Sequence, residues 1–421
     1  MVENMESKGD GSAGKRICFL VGSIALSGGT YVIVQHASYL QDRGFDVTLA
    51  VQHPFDATTL AWHDSGRRLR CVPISIAYQE SFDLVIATWW KTALELAAFK
   101  TPRHAYFVQS IESRFYPEQE RPLRALVDAT YHLPVSYITE ARWIVDHLDR
   151  QFGQQAAYVR NGIRKDIYTP EGLAEAPRPV GQPRVLIEGH FNVRFKNTGL
   201  AVKLARQAGA RDIWVMTGSP VGQLPGISHV SSRIPISETP RIYRSCDILV
   251  KLSTVEGMFG PPLEMFHCGG TAIVFDVTGH DEYIRADENA VVVRDRNMSK
   301  VVSELRDLLA NRERLNALKA GAVATARNWP DWNWSSAAFE QWVGAVLAAS
   351  ETDRNAIEAI TRAAWDNYRI DEQERLKKSS AVVVLRQRAE RLAGRLPGGM
   401  QDRIRQLRVL GEVLLPPSKV S

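Results

Sequence analysis

Short apolar runs alternate with stretches of helical apolar spacing along the first part of the chain. Apolar positions recur at helical intervals over 30–43 and again over 91–99, which predicts two helices. Buried strands are predicted at 17–21, 47–51, 84–87 and 105–108. Strands that alternate with helices are typical of β-α-β units, so we expect a parallel sheet covered by helices.

The same alternation begins again at residue 184, which indicates a second domain. A helical stretch ends near residue 208, and strands are predicted at 185–187, 213–216, 248–252, 272–275 and 291–293. Between the two series, residues 170–183 contain four of the twenty prolines, a density that favours a linker. Two doubly wound sheets joined in this way direct their strand carboxyl ends toward a shared cleft, where ligands of such sheets bind.

Composition excludes several classes of protein. With 45% hydrophobic and 24% charged residues, the chain is expected to fold, and no run approaches the ~18 apolar residues of a membrane-spanning helix. Four cysteines lie far apart without a Cys-x-x-Cys pair, which favours a reducing compartment over a disulfide framework. The first sixteen residues carry three acids and three bases, whereas a secretory leader should be net positive. We therefore expect a flexible polar leader, residues 1–15, and a cytoplasmic protein.

The basic charge is concentrated in the C-terminal tail. Residues 375–421 carry eleven Lys or Arg and three Asp or Glu, a net +8; subtracted from the chain total of +5, this leaves −3 for residues 1–374. The tail lacks the interleaved aromatic side chains of a single-strand nucleic-acid platform, so nucleic acid is not expected as a partner.

Two amphipathic basic helices are predicted in this tail. Their apolar faces are Leu385, Ala389, Leu392 and Leu396 in one helix, and Ile404, Leu407, Leu410 and Leu414 in the other. Arginines flank both faces. Such helices bind an anionic membrane surface, or they cap the body of the protein or form an oligomer contact, and both alternatives remain open.

Two segments carry candidate chemistry. Gly28 and Gly29 follow the first strand and open the first helix, so free amides there could meet an anion. Glu256 and Glu264 are separated by seven residues, with a glycine-containing loop over 257–260 and Glu264 expected in the first turn of a helix. Carboxylates accept hydrogen bonds from paired sugar hydroxyls, and glycine amides donate to hydroxyl or phosphate oxygens. The alternative is a solvated loop followed by a capped helix.

The segment 256–274, EGMFGPPLEMFHCGGTAIV, resembles the E-x7-E region of the retaining nucleotide-sugar glycosyltransferases of family 4. Segments 160–163, 242–248 and 329–339 resemble other parts of that family, so the resemblance extends over 16–348. It implies the GT-B fold, two Rossmann-like domains that face a cleft. The stretch 106–148 is most similar to bacterial rhamnosyltransferases that extend surface polysaccharides.

The resemblance assigns roles to the carboxylates and the loop. Glu256 would contact hydroxyls of the donor sugar, and Glu264 would bind the nucleotide ribose. The loop that would supply amides to the sugar consists of Gly257, Met258, Phe259 and Gly260. Gln109 occupies the place of a histidine that lies beside the sixth carbon of the donor sugar, and this departure fits a 6-deoxy sugar such as rhamnose.

The resemblance also assigns the groups that would hold the donor diphosphate. Lys196 matches the lysine of the family's basic pair, and either His190 or Arg194 takes the place of the usual arginine. The sequence has no D-x-D triplet and no histidine pair with ligand spacing, so no metal and no cofactor are predicted. Fixed cations, with the amides of Gly28 and Gly29, would stabilise the departing diphosphate. The family implies retention of anomeric configuration by attack on the same face.

The resemblance gives each predicted segment a task. The expected divisions are a leader 1–15, an acceptor-side domain 16–168, a linker 169–183, a nucleotide-sugar domain 184–330, a crossing helix 331–350 and a basic helical extension 351–421. The predicted function is transfer of a sugar such as rhamnose from a nucleoside diphosphate to a glycan acceptor, lipid-linked if the tail binds the inner face of the membrane. The alternatives are a nucleotide-sugar epimerase of the same fold and a non-catalytic scaffold subunit that binds sugar nucleotides.

Overall fold

A computed structural model describes residues 14–56, 58, 60–378 and 398–414. Most of the predicted leader 1–15 therefore lies outside the described residues. The first predicted basic helix, with Leu385, Ala389, Leu392 and Leu396, also lies outside them.

The first domain contains a seven-stranded, fully parallel sheet with the order β3-β2-β1-β4-β5-β6-β7. Its strands are β1 (Arg16–Val21), β2 (Asp46–Val51), β3 (Arg70–Pro73), β4 (Leu84–Ala87), β5 (His104–Val108), β6 (Ser136–Thr139) and β7 (Ala156–Tyr158). Cys18 and Leu20 of β1 pack into one hydrophobic cluster, and Ile17 and Phe19 pack into another. Alternate side chains of β1 thus point to opposite faces of the sheet, and both faces are buried, as in a parallel sheet that is covered by helices.

Helices cover both faces of this sheet. They are α1 (Gly28–Asp42), α2 (Ile74–Ala77), α3 (Trp90–Ala93), α4 (Arg121–Ala129) and α5 (Arg142–Phe152). The first helix begins where Ser27 caps it, with the Ser27 hydroxyl accepting a hydrogen bond from the Thr30 amide at 3.1 Å. The helix predicted over 91–99 is wrong in its extent, because it divides into α3 and a separate 3-10 turn, Leu96–Ala98.

The second domain contains a six-stranded parallel sheet with the order β10-β9-β8-β11-β12-β13. Its strands are β8 (Val185–Glu188), β9 (Ile213–Thr217), β10 (His229–Ser232), β11 (Ile248–Lys251), β12 (Thr271–Phe275) and β13 (Val291–Val293). Its helices are α6 (Thr198–Gln207), α7 (Thr239–Ser245), α8 (Gly260–His267), α9 (Met298–Ala310) and α10 (Arg312–Asn328). The predicted pair of doubly wound parallel sheets is confirmed.

A long helix, α11 (Trp332–Ala348), carries the chain from the second domain back to the first. Trp329, just before it, is buried in the second domain, whereas Trp332 and Phe339 are buried in the first. His36 of α1 stacks on Phe339, with ring centroids 4.2 Å apart. This crossing fixes the C-terminal part of the chain against the first sheet.

The helical extension contacts both domains. Its helix α12 (Arg354–Lys378) packs on α4 of the first domain and buries Ile357. The last described helix, Gly398–Leu414, packs on α6 of the second domain and buries Val409 and Val413. We call this last helix the docking helix.

The predicted apolar face of the docking helix is wrong in part. Leu407 and Leu414 are 69% and 58% exposed, while Val409 and Val413, one turn apart, form the buried face. The four predicted positions include two that point away from the body, because the packed stripe runs through the two valines. No helix within the described part of the chain is long and apolar enough to span a bilayer.

Gly162, which follows β7, lies against the start of α11. A Cβ atom on it would lie 2.3 Å from the Asp331 carbonyl oxygen, beside the bridge between Ile163 and Asp331. We expect Gly162→Ala to lower the free energy of unfolding by about 1–3 kcal/mol, because packed backbone would have to move. Denaturant unfolding measures this loss.

Gly344→Ala in α11 is the matched control. A Cβ atom there meets no atom of the described residues within 4 Å, so alanine should leave stability unchanged or raise it by roughly 0.5–1 kcal/mol. Equal stability of the two variants would contradict the close approach at Gly162.

Candidate active site

A cavity of about 700 Å³ lies between the carboxyl ends of the two sheets. Residues that line it include Gly28, Gly29 and Gln109 from the first domain, and Lys196, Glu256 and Glu264 from the second. Polar residues reach the cavity because they directly follow or end buried strands: Gln109 follows β5, and Lys251 ends β11. The interdomain position agrees with the general location of ligand sites in doubly wound sheets.

Glu256 is buried between two lysines. The Lys196 Nζ lies 2.8 Å from both carboxylate oxygens of Glu256, and the Lys251 Nζ lies 3.8 Å from one of them. Burial alone would raise the pKa of Glu256, but Lys196 and Lys251 outweigh it and hold the pKa below its usual range. Glu256 is therefore ionised at neutral pH and forms an ion pair with Lys196.

Lys251 is a site residue that the sequence did not reveal. Its side chain is 1% exposed and donates a hydrogen bond to Glu188, the last residue of β8. Burial opposes its charge, yet Glu188 and Glu256 outweigh burial and raise the pKa of Lys251. The only available signal was a lysine inside the predicted apolar run 248–252, where a buried charge needs partners.

Glu264 lies in α8, but not in its first turn as predicted. The helix starts at Gly260, so residues 260–263 form the first turn and Glu264 is the fifth residue. Its carboxylate accepts a hydrogen bond from the Tyr243 hydroxyl at 2.8 Å. Burial raises the pKa of Glu264 to about 7, against the opposing effect of that hydrogen bond.

The loop before α8 is held by the first domain. Gly257 touches the backbone of Gln109 so closely that a Cβ atom would lie 1.8 Å from the Gln109 carbonyl oxygen. The Trp143 indole donates to the Gly257 carbonyl at 3.0 Å, and the Met258 amide donates to Glu140 at 3.1 Å. Gly257 and its neighbours thus form part of the interface between the domains.

The members of this loop differ in what they offer a ligand. Gly257, Met258 and Gly260 line the cavity, whereas the Phe259 side chain is fully buried in the second domain. The Met258 amide is already occupied by Glu140, whose other carboxylate oxygen accepts from Asn161 at 2.8 Å. Burial raises the pKa of Glu140 to about 7. The sequence did not reveal Glu140 because β6, which it follows, was not predicted.

Gln109 lines the cavity beside the start of α1. A Cβ atom on Gly29 would lie 3.2 Å from the Gln109 Oε1, and Gly28 lines the same wall. The Gln109 Oε1 is buried and has no hydrogen-bond partner among the described residues. Leaving a buried amide oxygen without a hydrogen-bond partner costs free energy. We therefore expect this oxygen to accept a hydrogen bond from a ligand hydroxyl.

The two candidates for the arginine position are placed differently. His190 lines the cavity and packs against Gly218, and burial lowers the pKa of its imidazole. Arg194 is exposed and is not among the residues that line the cavity. An arginine outside this pair of candidates, Arg233, lines the cavity and was not identified from the sequence. It follows β10, a short polar strand that the apolar pattern did not predict.

The first domain contributes a further buried carboxyl group, Glu112, to the cavity wall. One of its oxygens accepts from the Trp90 amide at 2.7 Å and from the Tyr106 hydroxyl at 3.3 Å. Burial raises the pKa of Glu112 to about 8. The group is therefore protonated at neutral pH and is able to donate as well as accept.

Residues 226–324 match a family model described as "Glycosyl transferases group 1". The chain is 25% identical over 250 residues to the O-antigen biosynthesis protein RfbC of Myxococcus xanthus, a match that covers 57% of this chain and 19% of that protein. It is 26% identical over 239 residues to the D-inositol 3-phosphate glycosyltransferase of Thermobispora bispora, covering 51% of this chain and 55% of that one. The chain thus spans about a fifth of the length of the first relative and about half of the length of the second.

Solved structures with similar folds cover the two domains together. HepE of Anabaena, in complex with UDP and glucose, superposes with a TM-score of 0.63 at 14% identity, over 79% of this chain and 100% of that one. The sucrose-phosphate synthase of Thermosynechococcus elongatus superposes with a TM-score of 0.61 at 15% identity, over 80% and 100%. The fold is GT-B, as the sequence predicted, and its second domain carries the group 1 glycosyltransferase match.

The state of Glu112 predicts a pH dependence of stability. Its pKa is about 8 in the folded chain and ~4.3 when unfolded, so its contribution to stability is fully present below ~4.3 and is lost as pH rises through 8. We expect Glu112→Gln, which cannot ionise, to flatten the fall in Tm between pH 5 and pH 8. Glu95→Gln is the control, since Glu95 also accepts a tyrosine hydroxyl, at 2.9 Å. An unchanged slope in Glu112→Gln would refute the assignment.

Proposed function

We propose that this chain is a retaining glycosyltransferase of family 4 type that moves a hexose from a nucleoside diphosphate to a glycan acceptor. The observation that carries the proposal is Glu256 paired with Lys196 and Lys251 in the interdomain cavity, with Glu264 on the same wall. Both carboxylates fall within the segment that matches the glycosyltransferase family model. HepE, which has a similar fold, is described in complex with UDP and glucose.

The charges in the cavity suit a nucleotide sugar. Cleavage of the bond between sugar and phosphate places negative charge on the departing diphosphate, which fixed cations stabilise without a metal. Lys196 and Arg233 would supply such cations here, and the His190 imidazole and the amides at the start of α1 would add hydrogen-bond donors. A phosphate that attracts Lys196 would release Glu256 to accept hydrogen bonds from sugar hydroxyls.

Glu264 is proposed to bind the nucleotide ribose. Its raised pKa means that its carboxyl group is partly protonated near pH 7, so it is able to exchange hydrogen bonds with two vicinal hydroxyls. Gln109, whose Oε1 accepts no hydrogen bond from any residue that the structure describes, is proposed to face the donor sugar. Its position in the family's pattern supports a 6-deoxy sugar such as rhamnose.

The proposed reaction keeps the configuration at the anomeric carbon. The bond from that carbon to the phosphate oxygen breaks, and the acceptor oxygen forms its bond on the same face. The acceptor proton passes to the departing phosphate, so no side-chain nucleophile is required. The O-antigen role in the name of the Myxococcus xanthus relative supports a glycan acceptor in bacterial surface polysaccharide synthesis.

The epimerase and the scaffold subunit are less well supported. A degenerate subunit would have no need to keep Lys251 and Glu256 buried and charged, since unused buried ion pairs are costly. An epimerase would consume the nucleotide sugar without an acceptor. Product analysis with and without a glycan acceptor distinguishes epimerisation from transfer.

We also propose that the chain works in the cytoplasm, at the inner face of the cell membrane. The docking helix exposes Met400, Leu407 and Leu414, which recur every seven residues on the side opposite its buried valines. Exposed arginines on either side of this apolar ridge are Arg403 and Arg408. An apolar ridge bordered by arginines suits an anionic lipid surface.

A nucleotide screen tests the donor site and the need for metal. Thermal shifts are measured with UDP, GDP, dTDP, ADP and CMP, each with EDTA, and a ligand at 100 times its Kd should add about 2.7 kcal/mol of stability. Stabilisation by one diphosphate with EDTA present is expected, and dTDP would favour rhamnose. Stabilisation that appears only after a divalent metal is added would contradict metal-free binding.

Two substitutions should separate chemistry from nucleotide binding. Glu256→Gln is expected to reduce transfer by about 10²-fold or more while retaining the nucleotide-induced thermal shift. The reason is that Glu256, in the proposed complex, contacts the sugar of the donor and not its nucleotide. Glu264→Ala should weaken the nucleotide itself, since the ribose loses its partner. Full transfer activity in both variants would show that the site is assigned incorrectly.

Membrane binding is tested on the exposed ridge of the docking helix. The double variant Leu407→Gln/Leu414→Gln should bind phosphatidylglycerol vesicles about tenfold more weakly, because it loses apolar area that would enter the lipid. Leu173→Gln, in an equally exposed position of the linker, is the control. Equal sedimentation of all three chains with these vesicles would contradict membrane binding through this ridge.

A further inference from the structure

The docking helix touches two parts of the second domain that belong to the cavity wall. Its Asp402 forms an ion pair with Arg233 at 3.4 Å, and Arg233 lines the cavity. Its Glu412 accepts a hydrogen bond from the Asn192 amide at 2.9 Å. Asn192 also donates from its side chain to the Arg405 carbonyl at 3.3 Å. The first contact is with a cation of the proposed donor site, and the second is with the segment that carries Lys196.

These contacts belong to a closely packed interface. A Cβ atom on Gly199 of α6 would lie 2.9 Å from the Glu412 Cβ, so the two helices approach nearly to backbone contact. Val409 and Val413 are buried in the core of the second domain. Arg206 of α6 donates to the Val413 carbonyl at 3.3 Å. These contacts fix the rotation of the docking helix about its own axis and its position along that axis, relative to the cavity wall.

Glu412 holds one end of the segment that carries Lys196. The segment 192–197 begins and ends with asparagines in left-handed conformations, at φ 63° for Asn192 and 51° for Asn197. Such conformations are costly without external support, although asparagine tolerates them better than most residues. Asn197 donates to the Leu252 carbonyl within the domain, whereas Asn192 depends on the docking helix.

Arg233 is held from outside the cavity. Its backbone is also left-handed, at φ 56°, and its side chain is 49% exposed, so it is able to turn between Asp402 and the cavity. Asp402 has a second partner in Arg405, one turn along the docking helix at 3.3 Å. If Arg233 turned away from Asp402, the Asp402 carboxylate would still have Arg405 as a partner.

We propose that the docking helix controls donor affinity through these two contacts. Glu412 is a positioning residue that fixes the Lys196 segment through Asn192. Asp402 competes with the donor diphosphate for Arg233, so donor binding and the Asp402 contact oppose each other. This inference rests on the proposed donor site. Because coupling is reciprocal, whatever draws the docking helix away would change donor affinity, and donor binding would loosen the Asp402 contact.

Calorimetry with the nucleoside diphosphate that stabilises the wild-type chain most tests the competition. Asp402→Asn should lower the Kd by about two- to fivefold at low salt, the effect of an exposed ion pair, and the difference should vanish at high salt. Asp366→Asn is the control, because it removes a comparable ion pair, with Arg369 at 2.9 Å in α12, that does not line the cavity. Its Kd should equal that of the wild type.

Kinetics test the positioning role of Glu412. Glu412→Ala should raise the KM for the donor by about tenfold or more while the KM for the acceptor stays constant. Glu412→Gln keeps an oxygen that accepts from the Asn192 amide and should restore most of the loss. A merely structural role would change Tm and both KM values together.

The outcomes separate the inference from the function on which it rests. If no diphosphate binds the wild-type chain, the donor site and the inference both fail. If the wild type binds and Asp402→Asn binds equally well at low salt, the competition is refuted and the donor site stands. If Glu412→Ala leaves the donor KM unchanged, the positioning role is refuted.

Discussion

A charged carboxylate buried between two domains must be neutralised in place, and the arrangement of the cavity follows from this constraint on Glu256. Lys196 reaches it from the segment before α6, and Lys251 reaches it from the end of β11. Each lysine would be costly to bury alone, and so would the carboxylate. Glu188 completes the charge balance at Lys251, so the ends of two neighbouring strands are tied to one loop.

The remaining buried carboxyl groups of the cavity follow the opposite rule. Glu112, Glu140 and Glu264 have no lysine at hydrogen-bond distance within the part of the chain that the structure describes, and burial raises their pKa to values between about 7 and about 8. The same side chain thus serves as an ion at one position and as a hydrogen-bonding acid at others, according to its neighbours. At the domain interface, Glu140 accepts hydrogen bonds from the Asn161 side chain of the first domain and from the Met258 amide of the second, and so links the two domains.

The sequence predicted what depends on apolar periodicity and local motifs. The two parallel sheets, the positions of most of their central strands and the carboxylates at 256 and 264 all follow from such patterns. It missed β3, β6, β7 and β10 because these strands are short, and their polar or small residues give no apolar run. Glu140 and Arg233 were missed with the strands that they follow. Their roles arise from contacts between residues distant in the chain, which no local pattern records.

The helical extension changes what a shortened chain would mean in the laboratory. Its described helices cover α4 of one domain and α6 of the other, so removal of everything after α11 would uncover apolar surface on both. The apolar surface around α4 would lose its contact with Ile357 of α12. The surface of α6 would lose its contacts with Val409 and Val413 of the docking helix. Aggregation or inactivity of such a fragment would report lost packing, and would carry no information about a membrane anchor.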